Sequence, residues 1–249
     1  MRVLGHLFTR PFLDFYRGLA RCLARPVDML PIALGLVVGW WLYVPLHELL
    51  HAAGCALAGG SVGRLEIAPI YGGALLAALL PFVEAGGDYA GRLAEFDTGG
   101  SAWVHLATVL APYLLTLWPG VWALRLAARR HAGFLFAFVL PMALAPLVSL
   151  TGDAYEVGSL AVTALPAWEG WGERAALVGD DVFVRFGEVA TAAAAPGGGE
   201  LWLGFAFAVL AGVLWAFATC GLASLVAAAM SQRPLRSRAL VRSGEETMF

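Results

Sequence analysis

The chain has 249 residues, of which 60% are hydrophobic and only 14% charged, against about 25% charged in an average soluble domain. A soluble domain of this length must show about half its residues to water, so one core cannot hide this much apolar surface, and a disordered chain would be polar and highly charged. An integral membrane protein is what remains, and the formal net charge of −2 argues against a nucleic-acid partner.

In chain order, residues 1–30 come first. Arginines interrupt every apolar stretch there, so a signal peptide is not expected. Leu4, Phe8, Phe12, Phe15 and Leu19 recur at helical spacing between Arg2, Arg10, Arg17, Arg21 and Arg25, which predicts an amphipathic helix lying on the inner membrane surface. Residues 31–58 form the first apolar run long enough to cross a bilayer of about 30 Å. A glycine-rich, acidic stretch follows at 59–100. Within it, residues 62–70 partly alternate and are bounded by Gly59-Gly60 and Gly72-Gly73, which predicts a short strand or hairpin. Residues 74–83 are apolar but too short to span, as in a re-entrant or interfacial piece.

A second span is expected at 102–126 and a third from 133 to beyond 150. Residues 161–200 form an extramembrane loop whose longest polar stretch, 166–200, ends in an Ala/Pro/Gly-rich linker. The fourth span is expected at 201–230, followed by a tail at 231–249. The fold class is therefore all-α and polytopic, with about four transmembrane helices and a short β-hairpin or re-entrant segment after the first. Neither an internal repeat nor a second domain with its own core is apparent.

Every basic residue is an arginine, and twelve of the sixteen fall in residues 1–30, in the short 125–130 connection and in the tail. The excess of positive charge in these segments places them, with both termini, in the cytoplasm, and points to a bacterial inner membrane. Cys22, Cys55 and Cys220 are far apart without C-x-x-C spacing, so neither a disulfide framework nor a cysteine zinc site is expected. Tryptophans such as Trp103, Trp118, Trp168, Trp171 and Trp202 suit interfacial belts.

One motif carries chemistry. His47-Glu48-Leu49-Leu50-His51 is an H-E-x-x-H sequence, with a chance expectation of about 0.4% in this composition. On a helix, positions i and i+4 share a face, so both imidazoles can bind one metal ion. Glu48 stands beside them, where it can take a proton from an activated water. Three ionisable residues within five positions of an apolar helix require a compensating partner, and a divalent cation is one. Zinc suits two nitrogens and a carboxylate oxygen. Asp153, in Thr151-Gly152-Asp153, is the expected third ligand, near the outer end of span three, with Glu156 as the alternative. His105, near the start of span two, is a candidate for polarising a carbonyl or steadying an oxyanion. His6 and His131 lie toward the cytoplasmic side, away from this chemistry. Pro45, Pro141 and Pro146 are expected to kink the helices and open a pocket.

The stretch from Pro45 through His47-Glu48-Leu49-Leu50-His51 to Gly54 resembles the site-2 protease family of intramembrane zinc metalloproteases and its smaller bacterial relatives. The family's second motif, an aspartate beside glycine on a later helix, is matched by Gly152-Asp153, in reversed order. Its glycine-bounded β-segment is similar to residues 59–73. Ala111-Pro112 resembles the family's Gly-Pro, but the asparagine that follows there has no counterpart in a chain without asparagine. The family site also lies nearer the cytoplasmic face, whereas the arginine distribution here places it nearer the outer face.

The resemblance covers roughly residues 31–160. It implies Zn2+ held by His47, His51 and Asp153, Glu48 as the proton acceptor, and a membrane-embedded protein substrate whose peptide bond is hydrolysed. A helical substrate must unwind locally, and the 62–70 strand is expected to help by pairing with it. A membrane hydrolase acting on a lipid or small molecule, a catalytically inactive scaffold, and a transporter or channel remain as alternatives. The oligomeric state is not legible.

Overall fold

The computed structural model describes residues 2–165, 176–194 and 199–245, with side chains over 9–165, 176–194 and 199–231. The expected loop residues 166–175, with Trp168, Trp171 and Arg174, lie outside the described residues, as do linker residues 195–198 and the side chains of Leu4, His6 and Phe8.

Helix α1 (Arg2–Cys22) precedes the long helix α2 (Met29–Leu57). Gly59, with φ of +98°, turns the chain out of α2 into strand β1 (Ser61–Ile67), a backbone conformation that suits glycine. A short helix α3 (Gly73–Leu79), strand β2 (Val83–Ala85) and strand β3 (Gly91–Asp97) follow. Then come α4 (Ala102–Leu110), a single turn α5 (Tyr113–Leu115), α6 (Val121–Arg129), α7 (Gly133–Val148) and α8 (Asp153–Thr163). Helices α9 (Val182–Ala192) and α10 (Gly199–Glu245) complete the described chain.

Among the described residues, three helical segments are long and apolar enough to cross a membrane: Pro26–Leu57, Gly133–Thr163 and Gly199–Ser231. A fourth is available if Ala102–Leu110 and Tyr113–Arg129, bent by 42°, form one broken span. The bend falls at Pro112, which cannot donate a helical hydrogen bond. Large apolar side chains such as Leu36, Val37, Leu214 and Leu225 face outward from these helices, as do Trp103, Trp118 and Trp202. The cysteines are free and buried.

Glycines let the helices approach closely. Gly35 and Gly39 of α2 lie against the backbones of Phe134 and Phe138 of α7, so the two helices run side by side in the same direction. Gly158 of α8 and Gly212 of α10 do the same reciprocally, against Ala208 and Ala154, in an antiparallel pair. Small residues at such seams bring backbones together where the apolar effect between helices is weak.

The structure differs from the sequence expectation in four places. The strand expected within 62–70 is present as β1, but in place of a hairpin it joins a three-stranded sheet of order β2-β1-β3. β2 runs parallel to β1 because α3 carries the chain back between them, as a parallel pairing requires. The apolar residues 74–83 are divided between α3 and β2, and Leu75 and Leu79 project outward.

Second, β1 is the central strand and Ile67 is fully buried between Ala85 and Gly91. Its Leu65–Ile67 portion therefore has no free edge for a substrate. Third, the polar 166–200 stretch contains α9, whose first amides are capped by Asp181 and whose Val189 packs with Val162, Leu177 and Leu201. Its apolar residues Val182, Phe186 and Val189 follow helical spacing, a pattern hidden among the polar residues around it.

Fourth, the third span breaks at residues 149–152. Pro146 is carried within α7, and the chain restarts as α8 at Asp153. Asp153 therefore sits inside the Gly133–Thr163 segment rather than at its end. The amide of Val182, at the start of α9, donates to Thr151 O at 2.9 Å, satisfying a carbonyl released by the break. Irregular backbone inside an apolar segment is sustained only by such internal partners.

Candidate metal centre

His47 and His51 project from one face of α2, and the break before α8 brings Asp153 to them. Their ligand-capable atoms all lie within 4.8 Å of one another. His51 Nε2 is 3.1 Å from His47 Nε2. Asp153 Oδ2 is 3.0 Å from His47 Nε2, and Oδ1 is 3.5 Å from His51 Nε2. Both imidazoles are buried, at 8% and 7% exposure.

The outer nitrogen of His51 fixes the role of its inner one. His51 Nδ1 lies 2.9 Å from the carbonyl oxygen of Thr108. A carbonyl can only accept, so Nδ1 carries the proton, and Nε2 of the neutral imidazole presents a lone pair to the cluster. His47 Nδ1 is 2.9 Å from the Tyr43 hydroxyl, one helical turn earlier. Asp153 Oδ2 is buried without a well-formed hydrogen bond. With Tyr43 accepting from His47 Nδ1, lone pairs of both imidazoles and of the Asp153 carboxylate converge on one point, and the two rings are anchored on their far sides by hydrogen bonds, as metal-ligating histidines are. The group can hold a metal ion.

A cleft of about 360 Å3 opens beside it, lined by Glu48, His51, Asp153, His105 and Glu156 and walled by β3. Glu48 packs against Gly91 at the start of β3. The outer edge of β3 has no strand partner among the described residues. Residues 178–181 close the far side. Arg92 donates to Asp180 twice, at 3.0 and 3.2 Å, and the Tyr89 hydroxyl donates to Asp181 at 3.1 Å.

Asp181 also accepts from the amides of Phe183 and Val184. Burial opposes its ionisation, but those amides, Tyr89 and Arg92 outweigh it and hold the carboxyl below the usual range. Tyr89 is pushed up by the hydrogen bond it donates to Asp181 and by that residue's charge.

Not every candidate joins the cluster. Glu156, the alternative third ligand, lies 2.8 Å from His105 Nε2 instead, and the two form a separate pair on the cleft wall. His105 also meets the Phe96 ring edge-on, with centroids 5.5 Å apart. His131 lies in the α6–α7 turn, with Nδ1 2.9 Å from Arg21 O.

Four participants escape a reading of the motif alone: Tyr43, the Thr108 carbonyl, Gly91 and the Arg92–Asp180 clasp. Tyr43 is the one with a sequence signal, since it stands four residues before His47 on the same helix face. The chain matches no family model, no curated protein and no solved structure.

Proposed function

We propose that the chain is an intramembrane zinc metallopeptidase that hydrolyses a peptide bond of a membrane-embedded substrate. The observation that carries this reading is the convergence of His47, His51 and Asp153 beside Glu48 in an open cleft. Ligand distances favour zinc. Tetrahedral zinc with bonds near 2.05 Å separates its ligand atoms by about 3.3 Å, close to the 3.0–3.5 Å spacings of this group. The resemblance of residues 45–54 to the site-2 protease motif supports the same reaction.

A bound zinc ion would supply Lewis-acid activation of water and polarisation of a carbonyl. His47, His51 and Asp153 would hold it, with Tyr43 and the Thr108 carbonyl orienting the two rings. Glu48, on the cleft side of the cluster, takes the proton from the attacking water and returns it to the leaving amine. The unpaired edge of β3 lies along the same cleft, so an extended substrate can add to it as a further strand. That edge takes the role expected of residues 62–70. A helical substrate would exchange its internal hydrogen bonds for those of the strand edge, which answers the unwinding requirement. His105, held by Glu156, faces the same space and is placed to meet the substrate carbonyl.

The test compares wild type with Glu48→Gln on an extended apolar peptide and on dispersed phospholipid. Peptide hydrolysis that is lost in the variant, with metal retained, is the expected result. Hydrolysis of phospholipid instead would redirect the reading to a lipid hydrolase. Equal peptide turnover by both proteins would refute it.

A further inference from the structure

A second cavity of about 360 Å3 lies between α1, α6 and α10, away from the metal centre. The starts of α2 and α7 meet near this end, where Gly133 approaches Asp28 and Ile32, and Arg21 O accepts from His131 in the adjoining turn. From Met29 to His47 is about 27 Å of helix.

The cavity's lining charge is one-sided. Helix α1 contributes Arg10, Arg17 and Arg21 at helical spacing on one stripe, and α6 contributes Arg125 and Arg129. Asp14 is the single carboxylate, and it is already engaged. It accepts from Arg125 Nε at 2.9 Å and from Nη2, with Arg10 3.7 Å away. Arg125 is further fixed by donating to Ser224 O at 2.9 Å. Arg17, Arg21 and Arg129 make no ion pair or side-chain hydrogen bond among the described residues. On the α10 side Ala228 and Ser231 are small and leave the space open.

We propose that this pocket binds a phosphate group, carried by an anionic phospholipid headgroup or free in solution. Guanidinium groups lining one pocket offer planar donor forks that match phosphate oxygens. An anion in the pocket would offset the repulsion among these guanidinium groups, which the single, already engaged Asp14 balances only in part. A basic pocket between helices at the membrane boundary suits such headgroups. Beside it, Phe12 of α1 is 55% exposed and lies against Phe217 of α10, ring centroids 6.0 Å apart, an apolar flank along which acyl chains can run. The inference does not depend on the metal centre.

The test uses the full chain in neutral detergent, titrated with phosphatidylglycerol, phosphatidylcholine or inorganic phosphate and read by native mass spectrometry. Wild type should retain phosphatidylglycerol or phosphate, and not phosphatidylcholine. The combined variant Arg17→Gln/Arg21→Gln/Arg129→Gln leaves the Asp14–Arg125 bond intact and should bind about a hundredfold more weakly. Arg130→Gln, outside the pocket, should bind like wild type. If the combined variant misfolds, Arg17→Gln alone should lose about fivefold. Displacement of the lipid by millimolar phosphate would identify a soluble anion as the occupant, and resistance to it a lipid. Variants that bind both ligands as tightly as wild type would overturn the proposal.

Discussion

Gly91→Ala separates Glu48, the acid–base group of the proposed reaction, from the three candidate metal ligands. Gly91 begins β3 with ordinary strand backbone, opposite Ile67, so alanine imposes no conformational strain. A Cβ there would lie 2.5 Å from Glu48 Cγ, 3.2 Å from Cδ and 3.4 Å from Oε1. Carbon atoms in favourable contact stand about 3.5–4.0 Å apart, so the Glu48 side chain must retreat by about 1 Å. A displacement of that size can cost about a hundredfold in rate. None of His47, His51 or Asp153 is touched. The expected result is unchanged metal content with turnover of an extended peptide reduced about a hundredfold, read by fluorogenic cleavage beside elemental analysis. Full turnover in Gly91→Ala, or loss of metal, would refute the placement of Glu48.

Three further outcomes follow from the same geometry. Tyr43→Phe removes the partner of His47 Nδ1, and metal affinity should fall about tenfold to a hundredfold in competition with a chelator. Gly158→Leu drives a side chain into the Ala208 backbone. It should destabilise the α8–α10 seam by at least the 1–3 kcal/mol or so of core overpacking, measured by thermal unfolding in detergent, whereas Gly187→Ala, with open space around it, should be neutral. Because the folded carboxyl of Asp181 titrates below its unfolded value of about 3.9, its cap on α9 is in force above that pH and is lost as pH falls through the folded value. Hydrogen exchange at the Phe183 and Val184 amides should therefore lose protection only in acid; loss of protection between neutral and alkaline pH would contradict this.

The candidate metal site is legible in the sequence through local spacing. His47 and His51 are one turn apart, and the helix delivers them to one face without further instruction. Asp153 was legible as a residue but not in its setting. The break at 149–152 depends on Thr151 O finding the Val182 amide, a contact across 31 positions that periodicity cannot show.

The same limit hid the sheet. Residues 62–70 alternate like a strand, but which strand is central depends on α3 returning the chain to make β2 parallel. Gly91 and Arg92 carry no local sequence signal because their roles lie in what faces them, Glu48 and Asp180. His105 and Glu156 are each candidates by residue type, but their pairing spans 51 positions and leaves no local trace in the sequence.

The most direct test is the metal content of purified wild type, His47→Ala, Asp153→Ala and Glu48→Gln. Zinc at one per chain in wild type and Glu48→Gln, and absent from the other two, is the result expected of a centre built from two imidazoles and one carboxylate. Wild type without zinc, or Asp153→Ala still holding it, would contradict the account.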